Sequence, residues 1–153
     1  MSDKGFSGDL EFCSNFSFSV VRLPYRRGTA ELPDVEHAYQ AMKAGSLEEF
    51  LKQTGVCLYD YVCMTPGQAK RLGRKVRLVA NWDEVKVEVM RHLLIQKFKI
   101  PELRLCLLAT EGELVEWNHW HDNFWGVCTC NRCPGEGENM LGRLLMEIRE
   151  VLL

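Results

Sequence analysis

The sequence predicts an α+β fold: a predominantly helical single domain with a small antiparallel sheet. Residues with side-chain oxygens precede several apolar-periodic stretches, which is how helices commonly begin. Alternation of apolar and polar residues, which is typical of strands, is confined to short stretches. The 153 residues, 46% hydrophobic and 26% charged, are enough for one core. We therefore assign residues 1–153 to a single domain.

Three short segments predict the strands. Residues 12–21 alternate aromatic or aliphatic side chains with polar ones, which favours a strand with one buried face. Residues 28–32 follow a turn that contains two arginines and predict a partner strand. Residues 113–117 predict a third strand.

The rest of the chain predicts helices, each recognised by a capping residue or by apolar residues at helical spacing. Their number favours an α+β fold over an all-β one. The predicted helices are 35–44 behind Asp34, a short helix behind Ser46 and Glu49, a basic helix from Pro66 to Arg74 behind Thr65, a helix from Asn81 to Phe98, a leucine-rich helix from Pro101, and the closing helix 142–152.

Charge and hydropathy restrict the partners. The net charge of −2 gives no general basic surface for nucleic acid or membrane. No apolar run approaches the length of a membrane span, and the polar start, residues 1–9, lacks the pattern of a signal peptide. We therefore expect a cytoplasmic protein with no membrane partner. The oligomeric state stays open at this point.

The seven cysteines do not predict a disulfide scaffold, because their number is odd and the chain is not a small secreted domain. Cys57, Cys63 and Cys106 lie among apolar residues in the sequence. We expect them to be packed, free thiols.

A second group of cysteines is closely spaced. Cys128, Cys130 and Cys133 place three thiols within six residues, and His119 or His121 could complete a tetrahedral zinc site. The alternative is a cluster of reduced thiols, which the spacing slightly favours because a second CxxC pair is missing. A bound metal is expected to be structural, since three sulfur ligands make a poor Lewis acid.

The helix predicted behind Asp34 carries the first candidate catalytic groups. Glu36, Gln40 and Lys43 share one side of it at spacings of four and three. A carboxylate and an amine on one face can act as an acid–base partner and as a nucleophile or electrostatic clamp. Spacing alone favours a solvated face instead. His37, on the same helix, is expected to be an ordinary surface or packed histidine.

Further candidates flank two loops. Asp122 stands among aromatic residues, where a carboxylate can have a perturbed pKa and act as a general acid or orient a ribose; it could instead cap a turn. The loop Gly135-x-Gly137-x-Asn139 could present amides to a phosphate, although glycine is also ordinary loop chemistry. Asn15 could bind a base edge or a ribose hydroxyl, and taken singly a turn role is favoured.

The order of these motifs is more specific than any one of them. Ser14-Asn15-Phe16 is followed by Glu36-His37-Ala38-Tyr39-Gln40-Ala41-x-Lys43 and then by Leu72-Gly73-Arg74. Asn81-Trp82-Asp83, Asp122-x-x-Trp125-Gly126 and Gly137-x-Asn139-x-Leu141-Gly142 come next in the chain. Together, from Phe12 to Arg149, they resemble the YbiA-like N-glycosidase family of the NADAR superfamily.

The resemblance implies a mostly helical α+β fold and hydrolysis of the N-glycosidic bond between ribose and a nitrogen base. The implied substrates are phosphoribosylamino-pyrimidine intermediates of riboflavin synthesis, or ADP-ribose attached to guanine, free or in nucleic acid. No cofactor is required. Family-like roles then fall on matching residues: Glu36, Lys43 and Asp122 as catalytic groups, and Asn15, Phe16, Gln40, Trp82, Trp125, Gly126 and Asn139 as substrate contacts, with the two tryptophans as stacking walls.

The sequence departs from the family at two places. Cys13 and Ser17 stand where the family usually has leucine and an aromatic residue, and the three-cysteine loop replaces a shorter glycine-rich turn. Two other functional classes stay open. One is a non-catalytic module that binds ADP-ribose, NAD or a related nucleotide, and the other is a small zinc-stabilised interaction protein.

Overall fold

The computed structural model describes residues 5–133 and 135–152, so the first four residues of the polar start lie outside the described residues. The described chain is mostly helical with a small antiparallel sheet, which confirms the predicted fold class. Among these residues, no helix has the length and apolar character needed to cross a membrane. The chain forms two compact units, residues 15–97 and the described residues before 15 and after 97. The assignment of 1–153 to one domain stays a prediction.

The unit formed by residues 15–97 is built around one helix. Strands β1 and β2 form an antiparallel hairpin that pairs Val21 with Leu32 at one end and Tyr25 with Gly28 at the other. Helix α1 packs against this hairpin and against α2, α4 and α5. The elements are β1 (Val21–Tyr25), β2 (Gly28–Leu32), α1 (Val35–Met42), α2 (Leu47–Thr54), α3 (Leu58–Cys63), α4 (Pro66–Gly73) and α5 (Trp82–Lys97).

Three of the predicted helix starts in this unit are confirmed by their caps. The Asp34 carboxylate accepts the His37 N–H at 2.8 Å, and Ser46 Oγ accepts the Glu49 N–H at 3.1 Å. Thr65 and Gln68 exchange both hydrogen bonds of a capping box ahead of α4. Each cap satisfies an amide that the first helical turn leaves without a partner. Helix α3 was not predicted by the sequence pattern.

The predicted strand over 12–21 is wrong. The chain forms a 3-10 helix over Gly8–Cys13, and strand pairing begins only at Val21. Beyond the pair of Val21 with Leu32, no other strand among the described residues continues the ladder. Phe18, which the alternation places on a buried face, is 76% exposed. Alternation alone does not make a strand where no partner strand is within reach.

The second unit contains the 3-10 helix, two more helices and a two-residue strand pair. It comprises α6 (Pro101–Leu108), β3 (Trp117–Asn118), β4 (Val127–Cys128) and α7 (Met140–Leu152), and β3 and β4 run parallel. The strand predicted over 113–117 is wrong except at Trp117. The Leu114 carbonyl and the Glu116 N–H bond to the Asn139 side chain instead of to a strand, and only the Glu116 carbonyl pairs with β4, through the Val127 N–H.

The expectation of packed thiols at three cysteines is also wrong. Cys57, Cys63 and Cys106 are exposed, whereas Cys13 and Cys128 are buried. Cys57 is the N-cap of α3, where its sulfur accepts the Asp60 N–H at 3.5 Å, and Cys63 is the last residue of that helix. Apolar neighbours in sequence therefore do not indicate burial at the ends of a six-residue helix.

Candidate active site

Helix α1 buries the polar face that spacing alone assigned to solvent. Glu36 is only 6% exposed, Gln40 2% and His37 is fully buried. Helix α4 packs onto α1 closely because it carries glycine at position 73, where an added Cβ would overlap the Gln40 amide oxygen. The prediction of a solvated face is therefore wrong, and the polar groups of α1 lie inside the unit.

The Glu36 carboxyl group is held in an environment that favours its protonated form. Gln40 Nε2 donates a 2.6 Å hydrogen bond to Glu36 Oε1. Burial raises the pKa of Glu36 above its ordinary value, and this effect outweighs the opposing influence of the Gln40 hydrogen bond and of the nearby Lys70 and Lys43 charges. The result is a carboxylic acid that retains its proton to higher pH than an exposed glutamate.

Lys43 follows the last turn of α1 and shows the opposite shift. Its partial burial lowers its pKa, and the Lys70 and Arg74 charges act in the same direction, whereas the Glu36 carboxylate opposes them. The ammonium nitrogen lies 5.7 Å from the centroid of the Tyr39 ring. Burial thus shifts both Glu36 and Lys43 towards their neutral forms, the forms in which a carboxyl group acts as an acid and an amine as a nucleophile.

Trp82 packs against Tyr39, the residue whose ring lies near the Lys43 ammonium group. Its ring is buried and lies 5.3 Å from the Tyr39 ring at a tilt of 54°. Tyr39 is therefore close to both Trp82 and the Lys43 ammonium group. The stacking role that the family resemblance implies for Trp82 stays a prediction.

Asn15 joins the site through its backbone and its side chain. Its carbonyl oxygen accepts the Glu36 N–H at 3.2 Å, and its Nδ2 lies 3.6 Å from Met90 Sδ. Asn15 Oδ1 and Gln40 Oε1 are buried acceptors with no hydrogen-bond partner among the described residues. Buried acceptors are normally hydrogen-bonded, and a ligand that donates hydrogen bonds to these two oxygens would explain them. Phe16, beside Asn15, is 45% exposed.

His37 is a structural residue, in agreement with the expectation of a packed histidine. Its Nδ1 lies 2.8 Å from Asp34 Oδ1, and its Nε2 lies 3.0 Å from the Tyr61 carbonyl oxygen. The Tyr61 hydroxyl in turn donates a 2.6 Å hydrogen bond to the His37 carbonyl, and burial raises the pKa of that hydroxyl. These bonds connect α1 to α3 and fix the helix turn that carries Glu36.

Asp122 lies in the other unit, in the loop between β3 and β4. Its Oδ1 accepts the N–H groups of Phe124 at 3.1 Å and of Trp125 at 2.9 Å. The Asn118 side chain holds the Asp122 backbone by accepting its N–H and donating to its carbonyl. One carboxylate oxygen of Asp122 thus caps a turn, the role left open by the sequence, and its catalytic role stays a prediction.

The expectation that the loop ahead of α7 presents its amides to a phosphate is wrong for residues 138 and 139 and stays a prediction for residues 135–137. The amides of residues 138–141 donate to carbonyl groups of residues 123–126 at 2.8–3.3 Å. Both polar atoms of the Asn139 side chain are also used, because Nδ2 donates to the Leu114 carbonyl and Oδ1 accepts the Glu116 N–H. An added Cβ at Gly126 would overlap the Glu116 carbonyl. Gly126 and Asn139 thus both pack closely against the backbone of residues 114–116.

The three closely spaced cysteines lie together with His121. One potential ligand atom from each of His121, Cys128, Cys130 and Cys133 lies within 4.8 Å of the others. His121 Nδ1 is 3.2 Å from Cys130 Sγ and 3.7 Å from Cys133 Sγ. His119 instead packs edge-on against Trp120, with ring centroids 5.3 Å apart. The donor set, three sulfurs and one imidazole, is one that structural zinc commonly uses.

Amide groups surround these sulfurs. The N–H groups of His121 and Cys130 donate to Cys128 Sγ, and Asn123 Nδ2 donates to Cys133 Sγ at 3.3 Å. Desolvation opposes ionisation of Cys130, but hydrogen bonds from the Arg132 backbone and the neighbouring thiols lower its pKa overall. At Cys133 the Asn123 hydrogen bond lowers the pKa, but desolvation and the neighbouring thiols raise it overall. Hydrogen bonds therefore favour the thiolate, the form that binds metal, at Cys130.

Comparison with known proteins decides the family. The sequence model described as the NADAR domain matches residues 6–153. The chain belongs to the NADAR family. This confirms the resemblance that the order of motifs indicated.

Relatives of this NADAR protein include two named N-glycosidases. N-glycosidase YbiA of Escherichia coli (strain K12) is 38% identical over 150 residues, covering 95% of this chain and 84% of the relative. N-glycosidase Npun_R5314 of Nostoc punctiforme is 38% identical over 120 residues, covering 76% and 71%. The NMR structure of E. coli YbiA matches with a TM-score of 0.69 at 34% identity, covering 99% of this chain and 86% of that one.

A longer plant relative contains a similar segment. The chloroplastic riboflavin biosynthesis protein PYRR of Zea mays is 32% identical over 148 residues. The match covers 92% of this chain but only 23% of the plant protein. The NADAR chain thus spans less than a quarter of that relative.

Sequence reasoning missed two supporting residues of this NADAR domain. Gly73 was quoted as part of a motif, but no pattern indicated that its missing side chain admits Gln40. Asn118 was not singled out, although its side chain hydrogen-bonds to both the N–H and the carbonyl group of Asp122. A polar residue directly before an aromatic loop was the signal available for Asn118.

Proposed function

We propose that this protein is an N-glycosidase, a hydrolase that cleaves the bond between ribose and a base nitrogen in a nucleotide-like substrate. The observation that carries the proposal is the pair Glu36 and Lys43 on one helix, with pKa values shifted in opposite directions. Membership of a family with named N-glycosidases supports it. The buried acceptors Asn15 Oδ1 and Gln40 Oε1 suit the amino and hydroxyl groups of such a substrate.

Glu36 is the proposed general acid. Burial raises its pKa and so favours the protonated form, which can protonate the departing base nitrogen while positive charge develops at the anomeric carbon. The bond between that carbon and the base nitrogen breaks, and its electron pair leaves with the protonated base. The Glu36 carboxylate then recovers a proton.

Lys43 is the proposed nucleophile. Its lowered pKa increases the fraction of neutral amine, which forms a bond to the anomeric carbon as the base departs. The new ammonium group returns its extra proton to Glu36, and opening of the ribose ring yields a Schiff base. Water hydrolyses this imine to free sugar and lysine. An alternative role for Lys43, electrostatic stabilisation of a phosphate or leaving group, predicts no covalent adduct.

The charges around Lys43 support a phosphorylated substrate. Lys70 and Arg74, both contributed by α4 or its C-cap, act electrostatically on Lys43. An anionic phosphate near them would be attracted by all of these cations. The overall charge of −2 favours a small nucleotide-like molecule over a nucleic acid, because the protein lacks a general basic field. On the family resemblance, Asp122 and Trp125 are proposed to contact the ribose and the base.

A chromatographic hydrolysis assay tests this function. Wild type and Glu36→Gln are incubated with ADP-ribosylated guanosine, with ADP-ribosylated DNA and with the phosphoribosylamino-uracil intermediate. We expect release of free base from a small substrate by wild type only. Binding without turnover of any substrate would replace the proposal by that of a nucleotide-binding module.

We also propose that His121, Cys128, Cys130 and Cys133 hold one structural zinc ion. Three sulfurs and one nitrogen complete a closed tetrahedral set, and this argues against a catalytic metal with an open position. Metal analysis of protein purified under reducing conditions is expected to give one zinc per chain. A metal-free protein that does not take up zinc would reduce this group to a thiol cluster.

A further inference from the structure

We infer that a metal ion bound by His121, Cys128, Cys130 and Cys133 fixes the conformation of the tryptophan loop, residues 119–126. The importance of this loop for turnover rests on the proposed N-glycosidase function. The binding of the metal and its effect on the loop do not depend on that function. The cluster and the loop belong to the same compact unit.

The four ligand atoms are already nearly as close together as a tetrahedral zinc site requires. Bond lengths of about 2.3 Å for zinc–sulfur and 2.0–2.1 Å for zinc–nitrogen place ligand atoms about 3.6–3.8 Å apart in a tetrahedron. The distances from His121 Nδ1 to Cys130 Sγ and Cys133 Sγ are 3.2 and 3.7 Å, and all four ligand atoms lie within 4.8 Å of one another. Small side-chain rotations therefore complete the site.

The ligands come from both ends of the loop. His121 belongs to the loop itself, Cys128 ends β4, and Cys130 and Cys133 follow that strand. The β3–β4 ladder contains only two residue pairs, which is little backbone pairing to hold a loop of eight residues. A metal ion bound to His121 and the cysteines would add a crosslink between the loop and the chain that follows it.

His121 has a backbone conformation that benefits from such a crosslink. Its φ of +69° lies in the left-handed region, which residues with a side chain rarely adopt. Strain of this kind persists where the surroundings hold the residue in place. Its N–H donates to Cys128 Sγ at 3.3 Å, so the same residue contacts the cluster through both backbone and ring.

Hydrogen bonds transmit this restraint to the rest of the loop. Asp122, the next residue, caps the amides of Phe124 and Trp125. Asn123 accepts the Cys128 N–H at 2.9 Å through Oδ1 and donates to Cys133 Sγ through Nδ2. Two of the proposed ligands, Cys128 and Cys133, are thus hydrogen-bonded to Asn123, the residue that directly follows Asp122.

The test combines metal content with hydrogen exchange, neither of which needs catalytic activity. Cys133→Ser and His121→Ala remove ligands, whereas Cys106→Ser and His119→Ala remove the same residue types outside the cluster. We expect one zinc per chain in wild type and in both controls, and at least a tenfold loss of zinc affinity in the ligand variants. Cobalt(II) bound to wild type should show the absorption of a tetrahedral thiolate site.

Amide exchange across residues 119–126 is expected to rise at least tenfold when zinc is removed by chelation, and to return when zinc is restored. Exchange in α1 serves as the internal reference and should change less than twofold. His121→Cys, which retains four ligands, should keep both zinc and protection even if the other variants fail to fold. Bound zinc without any change in loop exchange would overturn the inference, as would a disulfide within the cluster in place of metal.

The kinetic consequence is measured separately. If the N-glycosidase function holds, metal-free protein should show a raised KM or lowered kcat that zinc restores, while Cys106→Ser stays unchanged. If no form of the protein turns over substrate, the proposed function fails, whereas the exchange experiment still decides the metal–loop inference. An active enzyme with unaltered kinetics after zinc removal would show that the loop does not need the metal for turnover.

Discussion

Gln40 Nε2 donates a 2.6 Å hydrogen bond to Glu36 Oε1, one helical turn away, and both side chains are buried where α4 packs on α1. This bond orients a carboxyl group whose pKa is raised by burial. The carbonyl oxygen of the same side-chain amide, Gln40 Oε1, has no hydrogen-bond partner among the described residues. A single amide therefore positions the proposed acid and offers an acceptor to a ligand.

Glu36→Gln is expected to lower kcat by at least a hundredfold, because general acid catalysis typically contributes about 10²–10⁴ in rate. The variant keeps the shape of the side chain but cannot donate an acidic proton. Glu84→Gln, at an exposed position of α5, is the matched control and should retain wild-type rates. Rates of base release under saturating substrate measure the effect, and a Glu36→Gln enzyme with near wild-type activity would rule out the assigned role.

The stability of the protein should depend on pH through Glu36. A group whose pKa is raised in the folded state contributes stability that is present below its unfolded pKa, about 4.3 for glutamate, and is lost as pH rises through the folded value. Glutamine does not ionise, so the Glu36→Gln variant does not lose this stability as the pH rises. We therefore expect the variant to melt at a higher temperature than wild type at pH 7, and the difference to shrink towards pH 4. An unchanged difference across this range would contradict the burial argument.

Gly73→Ala, a change in α4, should disturb the Gln40–Glu36 hydrogen bond in α1 and lower both stability and activity. The added Cβ would overlap Gln40 Oε1, so the amide must move away from Glu36 or the helices must separate. Overpacking of this kind costs about 1–3 kcal/mol of unfolding free energy. Gly67→Ala, in the same helix, meets no atom closer than 4.0 Å and is the control. Denaturant unfolding and kcat of both variants give the comparison, and equal behaviour would disprove the close-packing account.

Asn139→Ala is expected to act mainly on stability. The change removes the hydrogen bonds to the Leu114 carbonyl and the Glu116 N–H, and leaving these buried groups unpaired costs about 1–3 kcal/mol each. Asn139 also has a φ of +49°, a conformation that asparagine tolerates better than alanine. Denaturant unfolding measures the loss. A stable variant with a raised KM would instead assign Asn139 to substrate binding, as the family resemblance implies.

Local chemistry could be predicted from the sequence, whereas packing between distant segments could not. The cap at Asp34 and the capping box of Thr65 and Gln68 depend on neighbouring residues and are confirmed. The burial of Glu36 depends on α4, about thirty residues further along the chain, so helical spacing indicated solvent instead. Its candidacy for catalysis came from the family resemblance and from the shared helix face.

The same distinction holds in the second unit. The spacing of Cys128, Cys130 and Cys133 indicated a cluster, and the structure brings them together. The choice of His121 over His119 depends on a left-handed turn that no propensity predicts. The amides of residues 138 and 139, just before α7, were expected to face a phosphate, but they bond to the carbonyl groups of Asn123 and Gly126, which spacing could not place beside them.

Reduction of the reacting enzyme with borohydride, followed by peptide mass spectrometry, tests the central claim most directly. Borohydride converts a Schiff base into a stable secondary amine. The Glu36–Lys43 mechanism predicts a sugar adduct on the peptide that contains Lys43, formed only with substrate and absent from Lys43→Ala, which should also lose turnover. Full turnover by Lys43→Ala, with no adduct on the wild-type enzyme, would contradict it.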